Sequence, residues 1–165
     1  MSTPSTGRIT LERTLATTIA DAWDLWTTGA GLEAWWGPDG FAVTVRRLDL
    51  RPGGALNYAM TAVEPDKIAF MKAHGMPVSQ EASLSYAAVE PRRRLAFVNR
   101  VDFVPGVAPY DSAVEALFEP VAGGVRLTVL IDRMHDETWT QRAATGWGQQ
   151  LGRLEAALRG RGSAR

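Results

Sequence analysis

The sequence predicts an α+β fold: a curved antiparallel sheet of about seven strands wrapped on one long C-terminal helix. Three observations predict it. Apolar and polar residues alternate in seven short runs, the period of half-buried strands. Tight-turn residues join the later runs through five hairpin-like connections, which favours a meander over parallel crossovers. The chain then closes on ~22 residues of helical periodicity, a rod of roughly 33 Å and the one element long enough to cover the sheet. At 165 residues the chain suits a single domain.

Residues 1–7 are small and polar and read as a tail. Ile9, Leu11, Arg13 and Leu15 form the first alternating face, with Arg13 placed among apolar neighbours. Thr18, followed by Asp21, starts a short helix. Ile19, Ala22, Trp23 and Trp26 form its apolar stripe up to Gly29. A second short helix, about 32–36, stops at Gly37-Pro38. Further strands follow: Phe41/Val43/Val45, then Leu56/Tyr58/Met60 after the turn Arg51-Pro52-Gly53-Gly54. Pro65 and Gly75 bound an inserted helix at about 65–74. Ala82/Leu84/Tyr86/Ala88, Leu95/Phe97/Asn99/Val101/Phe103, Val114/Ala116/Phe118 and Val125/Leu127/Val129/Ile131 complete the sheet. Asp136 caps the last helix and Gly160 is its expected stop; its stripe is Trp139, Ala143, Trp147, Leu151, Leu154 and Leu158. The expected organisation is a tail at 1–7, one domain at 8–158 and a tail at 159–165.

Composition narrows the function. Lys+Arg and Asp+Glu are both 18, so the net charge is zero, which removes the usual reason to expect nucleic acid or an anionic membrane as partner. There is no cysteine, hence no disulfide, thiolate-bound metal or thiol nucleophile. No secretory leader or membrane-spanning run is visible, so a cytoplasmic protein is expected. The two histidines, His74 and His135, lack metal-ligand spacing with another ligand, and the expected cofactor and metal content is none. Gly146-Trp147-Gly148-Gln149-Gln150-Leu151-Gly152 has one residue too many for a dinucleotide fingerprint, and no strand precedes it.

The run Arg13…Ala22-Trp23…Trp26-Thr27, Leu32…Trp35-Trp36-Gly37-Pro38 and Asp49-Leu50-Arg51-Pro52-Gly53-Gly54 resembles the stand-alone activator-of-Hsp90-ATPase-homologue domains. So do Gly124-Val125-Arg126-Leu127-Thr128 and the helix around Gly146-Trp147…Leu151…Leu154. These domains belong to the START-like, or SRPBCC, superfamily with the birch-pollen-allergen (Bet v-like) helix-grip fold. The resemblance spans about residues 8–158 and departs from the common pattern at the inserted helix. It implies a deep apolar cavity rather than one chemistry. Relatives bind lipids, polyketides or hormones, some cyclise or hydrolyse polyketides, and the namesake stimulates a chaperone ATPase.

Alternation and resemblance together give the expected wall: Tyr58, Met60, Tyr86, Phe97, Asn99, Phe118, Trp139, Ala143 and Trp147. Phe70, Met71 and the loop from Val104 to Tyr110 are expected to line or gate the mouth. Glu115 and Glu119 fall on the solvent face. Asn99 stands out, because an amide on an apolar strand face costs roughly 1–3 kcal/mol if unpaired. Arg13 is expected to pair with an acidic residue or to hold an anionic ligand group. Core packing is the ordinary role for Tyr58, Tyr86 and every tryptophan; Arg92-Arg93-Arg94 reads as a solvated hairpin tip. The three glycines inside the last helix suggest close backbone approach or a kink. The expected partner is a small hydrophobic or aromatic molecule. A second reading is a polyketide-cyclase-like enzyme using a general acid or base, for which His74, His135, Tyr86 and Asp102 are the candidates. A third is a chaperone-binding module, which the outward charges do not suggest. The sequence leaves a homodimer open.

Overall fold

The computed structural model describes residues 8–102 and 104–163. The expected tail at 1–7 and the strand residue Phe103 lie outside the described residues.

Alternation becomes one antiparallel sheet. Its strands are β1 (Arg8–Leu15), β2 (Phe41–Leu48), β3 (Ala55–Ala62), β4 (Ser79–Glu90), β5 (Arg94–Val101), β6 (Tyr110–Val121) and β7 (Gly124–Asp132). They lie in the order β1-β7-β6-β5-β4-β3-β2. The meander from β2 to β7 uses sequential neighbours, and β1 closes the far edge against β7 in full register from Arg8↔Asp132 to Leu15↔Val125. The helices are α1 (Ile19–Thr27), α2 (Gly29–Trp35), α3 (Pro65–Ala73) and α4 (Glu137–Ser163). No helix among the described residues is long and apolar enough to cross a membrane.

Two bulges reset the alternation. One lies between Val45 and Arg47; it keeps two arginines off the core and returns Leu48 to it. The other lies between Tyr86 and Ala88. Beyond it Val89, not the expected Ala88, packs on the core, because an extra residue shifts the side-chain period of 2 by one step.

Threonines set both short helices. Thr18 Oγ1 accepts from the Asp21 N–H at 3.1 Å, and Thr28 Oγ1 accepts from the Gly31 N–H at 2.9 Å. The α1–α2 corner is tight enough that a Cβ on Gly31 would lie 2.5 Å from the Asp24 carbonyl oxygen. Only glycine fits there. The tight corner brings Trp26, Trp35 and Trp36 together: Trp26 lies 4.7 Å from Trp35 and 6.1 Å from Trp36, centroid to centroid. Trp147 of α4 stacks near-parallel on Trp26 at 6.1 Å.

The Trp-Trp-Gly-Pro motif holds α4 down. Arg153 Nη1 donates to the Gly37 and Pro38 carbonyls, each at 2.8 Å, while Gln150 Oε1 accepts from the Gly37 N–H at 2.8 Å. A guanidinium shared by consecutive carbonyls has no substitute in an ammonium point charge. Arg153→Ala is expected to lower stability by about 2 kcal/mol, with Arg153→Lys recovering less than half; urea melts check both.

Helix α4 differs from expectation at three points. It passes through Gly160 to Ser163; Gly160 does not adopt positive φ, so it supplies no left-handed stop, and the expected tail boundary at 159 falls inside the helix. A Cβ at Gly146, Gly148 or Gly152 would meet nothing within 4 Å, so close backbone approach does not explain them. Trp139 leaves the apolar stripe, and Thr140 is buried instead; its hydroxyl donates to the Asp136 carbonyl and accepts from the Met134 N–H. Because Gly152 is exposed and unobstructed, Gly152→Ala is expected to raise stability by about 0.5–1 kcal/mol, read from the denaturation midpoint.

Glu115 faces away from α4, as its strand position predicts, but is far from solvated. Its side chain is only 16% exposed, covered by Arg94 and by Arg8 at 2.9 Å. Arg94 also holds Glu90 at 2.9 Å. The hairpin-tip reading therefore fails for Arg94, which is drawn onto the outer sheet face. Burial pushes the Glu115 carboxyl up, but the hydrogen bonds from Arg94 and Arg8 outweigh it and leave the group below its usual range. A carboxyl depressed by folding stabilises fully above its unfolded pKa of about 4.3 and loses that contribution as pH falls through the lower folded value. Glu115→Gln is thus expected to cost about 1–2 kcal/mol at pH 7, with the gap to wild type closing below about pH 4 in paired urea melts.

Candidate functional site

Inward faces of β3 to β7 do not fill the space beneath α4 completely. A cavity of about 660 Å³ remains at the end of the sheet away from the tryptophan cluster, bordered by Tyr58, Met60, Asn99, Val101, Ser112, Val114, Ile131, Met134, Ala143 and Trp147 among others. The volume falls in the range of small-molecule sites. The inner, less exposed part of this wall is largely apolar. Trp147 separates it from the core: its ring stacks on Trp26 and meets Trp36 edge-on at 5.6 Å.

Five exposed polar residues, Gln80, Glu81, Ser83, Arg100 and Asp102, ring the mouth, and three less exposed polar side chains interrupt the inner wall. Asn99 and Ser112 are direct partners across β5 and β6, so both reach the cavity at one level. Ser112 is buried. Tyr58 is the third. Burial pushes its phenol up, and a hydrogen bond from Trp36 opposes this only in part. A neutral phenol can both donate and accept. The result is a neutral donor beside an amide and a hydroxyl, suited to a ligand carbonyl or hydroxyl group.

Of the twelve expected lining residues, five border this cavity: Tyr58, Met60, Asn99, Ala143 and Trp147. The others go elsewhere for identifiable reasons. Phe97 and Tyr86 sit deeper, around a void of about 10 Å³ under Trp26 and Trp36, room for at most one water. Burial raises the Tyr86 phenol further still. Phe118 packs edge-on against Trp23 at 5.3 Å and Trp26 at 5.8 Å. Trp139 lies outside, between His135 at 5.7 Å and the Arg142 guanidinium at 5.1 Å. Phe70 is 55% exposed on α3 and stacks on His74 at 4.1 Å. Met71 is buried but does not border the cavity, and neither does any described residue from Val104 to Tyr110.

The candidate acid–base groups are scattered. His74 Nδ1 bonds the Phe70 carbonyl within its own helix turn. His135 Nδ1 bonds the Tyr110 hydroxyl at 2.8 Å, and the His135 N–H donates to the same oxygen at 3.2 Å. That pair ties the start of β6 to the segment before α4 without touching the cavity. Only Asp102 borders it, at the rim. Arg13 lies 3.8 Å from Glu155 of α4, so it joins strand to helix. Among the described residues no group of three or more His, Asp or Glu side chains is placed to hold a metal ion.

Besides Asp102, ten bordering residues were not among those expected to line the site, including Ser112, Ile131, Met134 and the run Gln80 to Ser83. For Ser112 the signal existed, because it precedes Val114 by two on the same strand face. Met134 lies just past β7, where no period reports it.

The fold recurs widely. A protein from Chromobacterium violaceum is 23% identical, with a TM-score of 0.74 over 93% of this chain and 97% of that one. One from Nitrosomonas europaea is 22% identical, with a TM-score of 0.71 over 98% and 99%. An AHSA1-like protein from Aeromonas hydrophila is 22% identical, with a TM-score of 0.71 over 94% of each chain. No curated protein matches the sequence. The family of activator of Hsp90 ATPase homolog 1-like proteins matches residues 16–159, which take in β2 to β7 and most of α4. The chain belongs to that family.

Proposed function

We propose that this protein binds a small hydrophobic or aromatic molecule in the cavity beneath α4. The observation that carries this reading is the 660 Å³ space itself, whose inner wall is largely apolar, includes Trp147, and is marked by the Tyr58, Asn99 and Ser112 polar groups, with further polar residues at its exposed mouth. An apolar cavity of this size left to water forgoes burial worth roughly 25 cal/mol per Å² of ligand surface. The polar trio supplies orientation. Family membership adds support, since the fold holds hydrophobic ligands. Turnover is a weaker reading. No histidine borders the cavity, and the one carboxylate expected from sequence, Asp102, stands at its exposed rim.

The test is titration with N-phenyl-1-naphthylamine, a neutral dye that fluoresces in apolar surroundings. Saturable one-to-one binding at micromolar concentration, with energy transfer from tryptophan to the dye, is the expected result. A linear, unsaturable response overturns the proposal.

A further inference from the structure

Four consecutive residues of β4, Gln80 to Ser83, border the cavity, and so do four in a row from Asn99 to Asp102. Successive strand residues point to opposite faces, so side chains on one face cannot account for this. The strand edges themselves must border the space. The ladder explains how. β4 stays paired with β3 as far as Ser79, and β5 with β6 as far as Val101. Between β4 and β5, however, the last pair among the described residues is Leu84↔Asn99. The sheet splits there, and the cavity reaches through it as a slot.

The main-chain direction follows from the neighbouring bonds. The Tyr86 N–H donates to the Gly54 carbonyl, and the Val78 carbonyl accepts from the Ala62 N–H. Even-numbered residues of β4 therefore turn their peptide groups to β3, and Glu81 turns its own into the slot. On the far side the Arg93 carbonyl accepts from the Phe118 N–H, so odd-numbered residues of β5 face β6 and Asp102 faces the slot. No main-chain bond joins Glu81 to Asp102 among the described residues. These main-chain groups meet solvent at the exposed mouth of the cavity, where a polar group of a ligand can replace water.

We infer that the β4–β5 slot is a binding site for a neutral head group that both donates and accepts hydrogen bonds, such as a carboxamide, carried on the apolar body that fills the cavity. This rests on the function proposed above. A strand edge offers alternating N–H and C=O groups, which an amide matches and a carboxylate, acceptor only, does not. Charge points the same way. Glu81 and Asp102 flank the slot, Glu81 bonded to Arg46 at 3.3 Å, and the rim guanidinium of Arg100 is taken by Asp111 at 3.2 Å. Among the described rim residues the guanidiniums of Arg46 and Arg100 are both engaged by carboxylates, and Asp102 adds a further negative charge.

The test displaces bound N-phenyl-1-naphthylamine with dodecanamide or dodecanoate below their micelle concentrations at pH 7.5. Dodecanamide is expected to displace the dye at a concentration at least tenfold lower. Glu81→Pro removes one slot N–H; it is expected to keep the fold by circular dichroism, because proline is tolerated where the strand N–H is unpaired, and to reduce the amide preference below threefold. Ala82→Pro, whose N–H serves β3, is expected to unfold. Equal displacement by amide and carboxylate, an unchanged preference in Glu81→Pro, or unfolding of Glu81→Pro overturns the slot. Failure of the dye itself to bind overturns the cavity reading instead.

Discussion

Replacing Ala143 by tryptophan is expected to abolish dye binding, raising Kd by at least thirtyfold, while the protein stays folded. Ala143 stands one helical turn before Trp147 on the face of α4 that borders the cavity. It is half-buried against open space rather than against core. An indole there projects into the volume a ligand would occupy. In a filled core the same change forces neighbours off their rotamers and costs about 1–3 kcal/mol; here the space accepts the ring, and stability is expected to hold or rise. Isothermal titration with the dye and a urea melt separate the two effects. Undiminished binding by a folded Ala143→Trp variant would place the dye elsewhere.

The largest stability effect is expected at Trp26. Its side chain is 1% exposed and touches Trp35, Trp36, Phe118 and Trp147, so one ring joins α1, α2, β6 and α4. Trp26→Ala is expected to cost about 3–5 kcal/mol, a large share of the 5–15 kcal/mol typical of whole domains. Trp26→Phe should cost much less than its lost volume suggests. The Trp26 Nε1 donor is buried without a partner, whereas Trp35 Nε1 donates to the Leu25 carbonyl at 2.8 Å. Removing an unpaired donor relieves a desolvation penalty. Melts of Trp26→Phe and Trp35→Phe make the comparison, and the Trp35 variant is expected to be the less stable.

Strand period and turn chemistry carried most of the fold. Leu56, Leu84, Phe97, Val114 and Leu127 lie on the core face as alternation requires, and Thr18 and Asp136 cap their helices as their positions suggest. Bulges were less legible, since inserting one residue leaves no mark in a run such as Tyr86-Ala87-Ala88-Val89. The candidate site was legible in part. Alternation says which face a residue takes, not how far along the strand the tryptophans fill the space. Phe97 and Asn99 share a face, yet Trp147 and Trp36 close over Phe97 and leave Asn99 in the cavity. Trp139 has the right helical phase and is drawn off by His135 and Arg142. The slot had no sequence signal, because it depends on where two strands separate, not on their side chains.

Native mass spectrometry of the protein purified gently from its own cells tests the central claim most directly. The account predicts a stoichiometric apolar small molecule on the wild-type chain, absent from Ala143→Trp isolated in the same way. A wild-type chain that emerges empty and also leaves N-phenyl-1-naphthylamine unbound would contradict it.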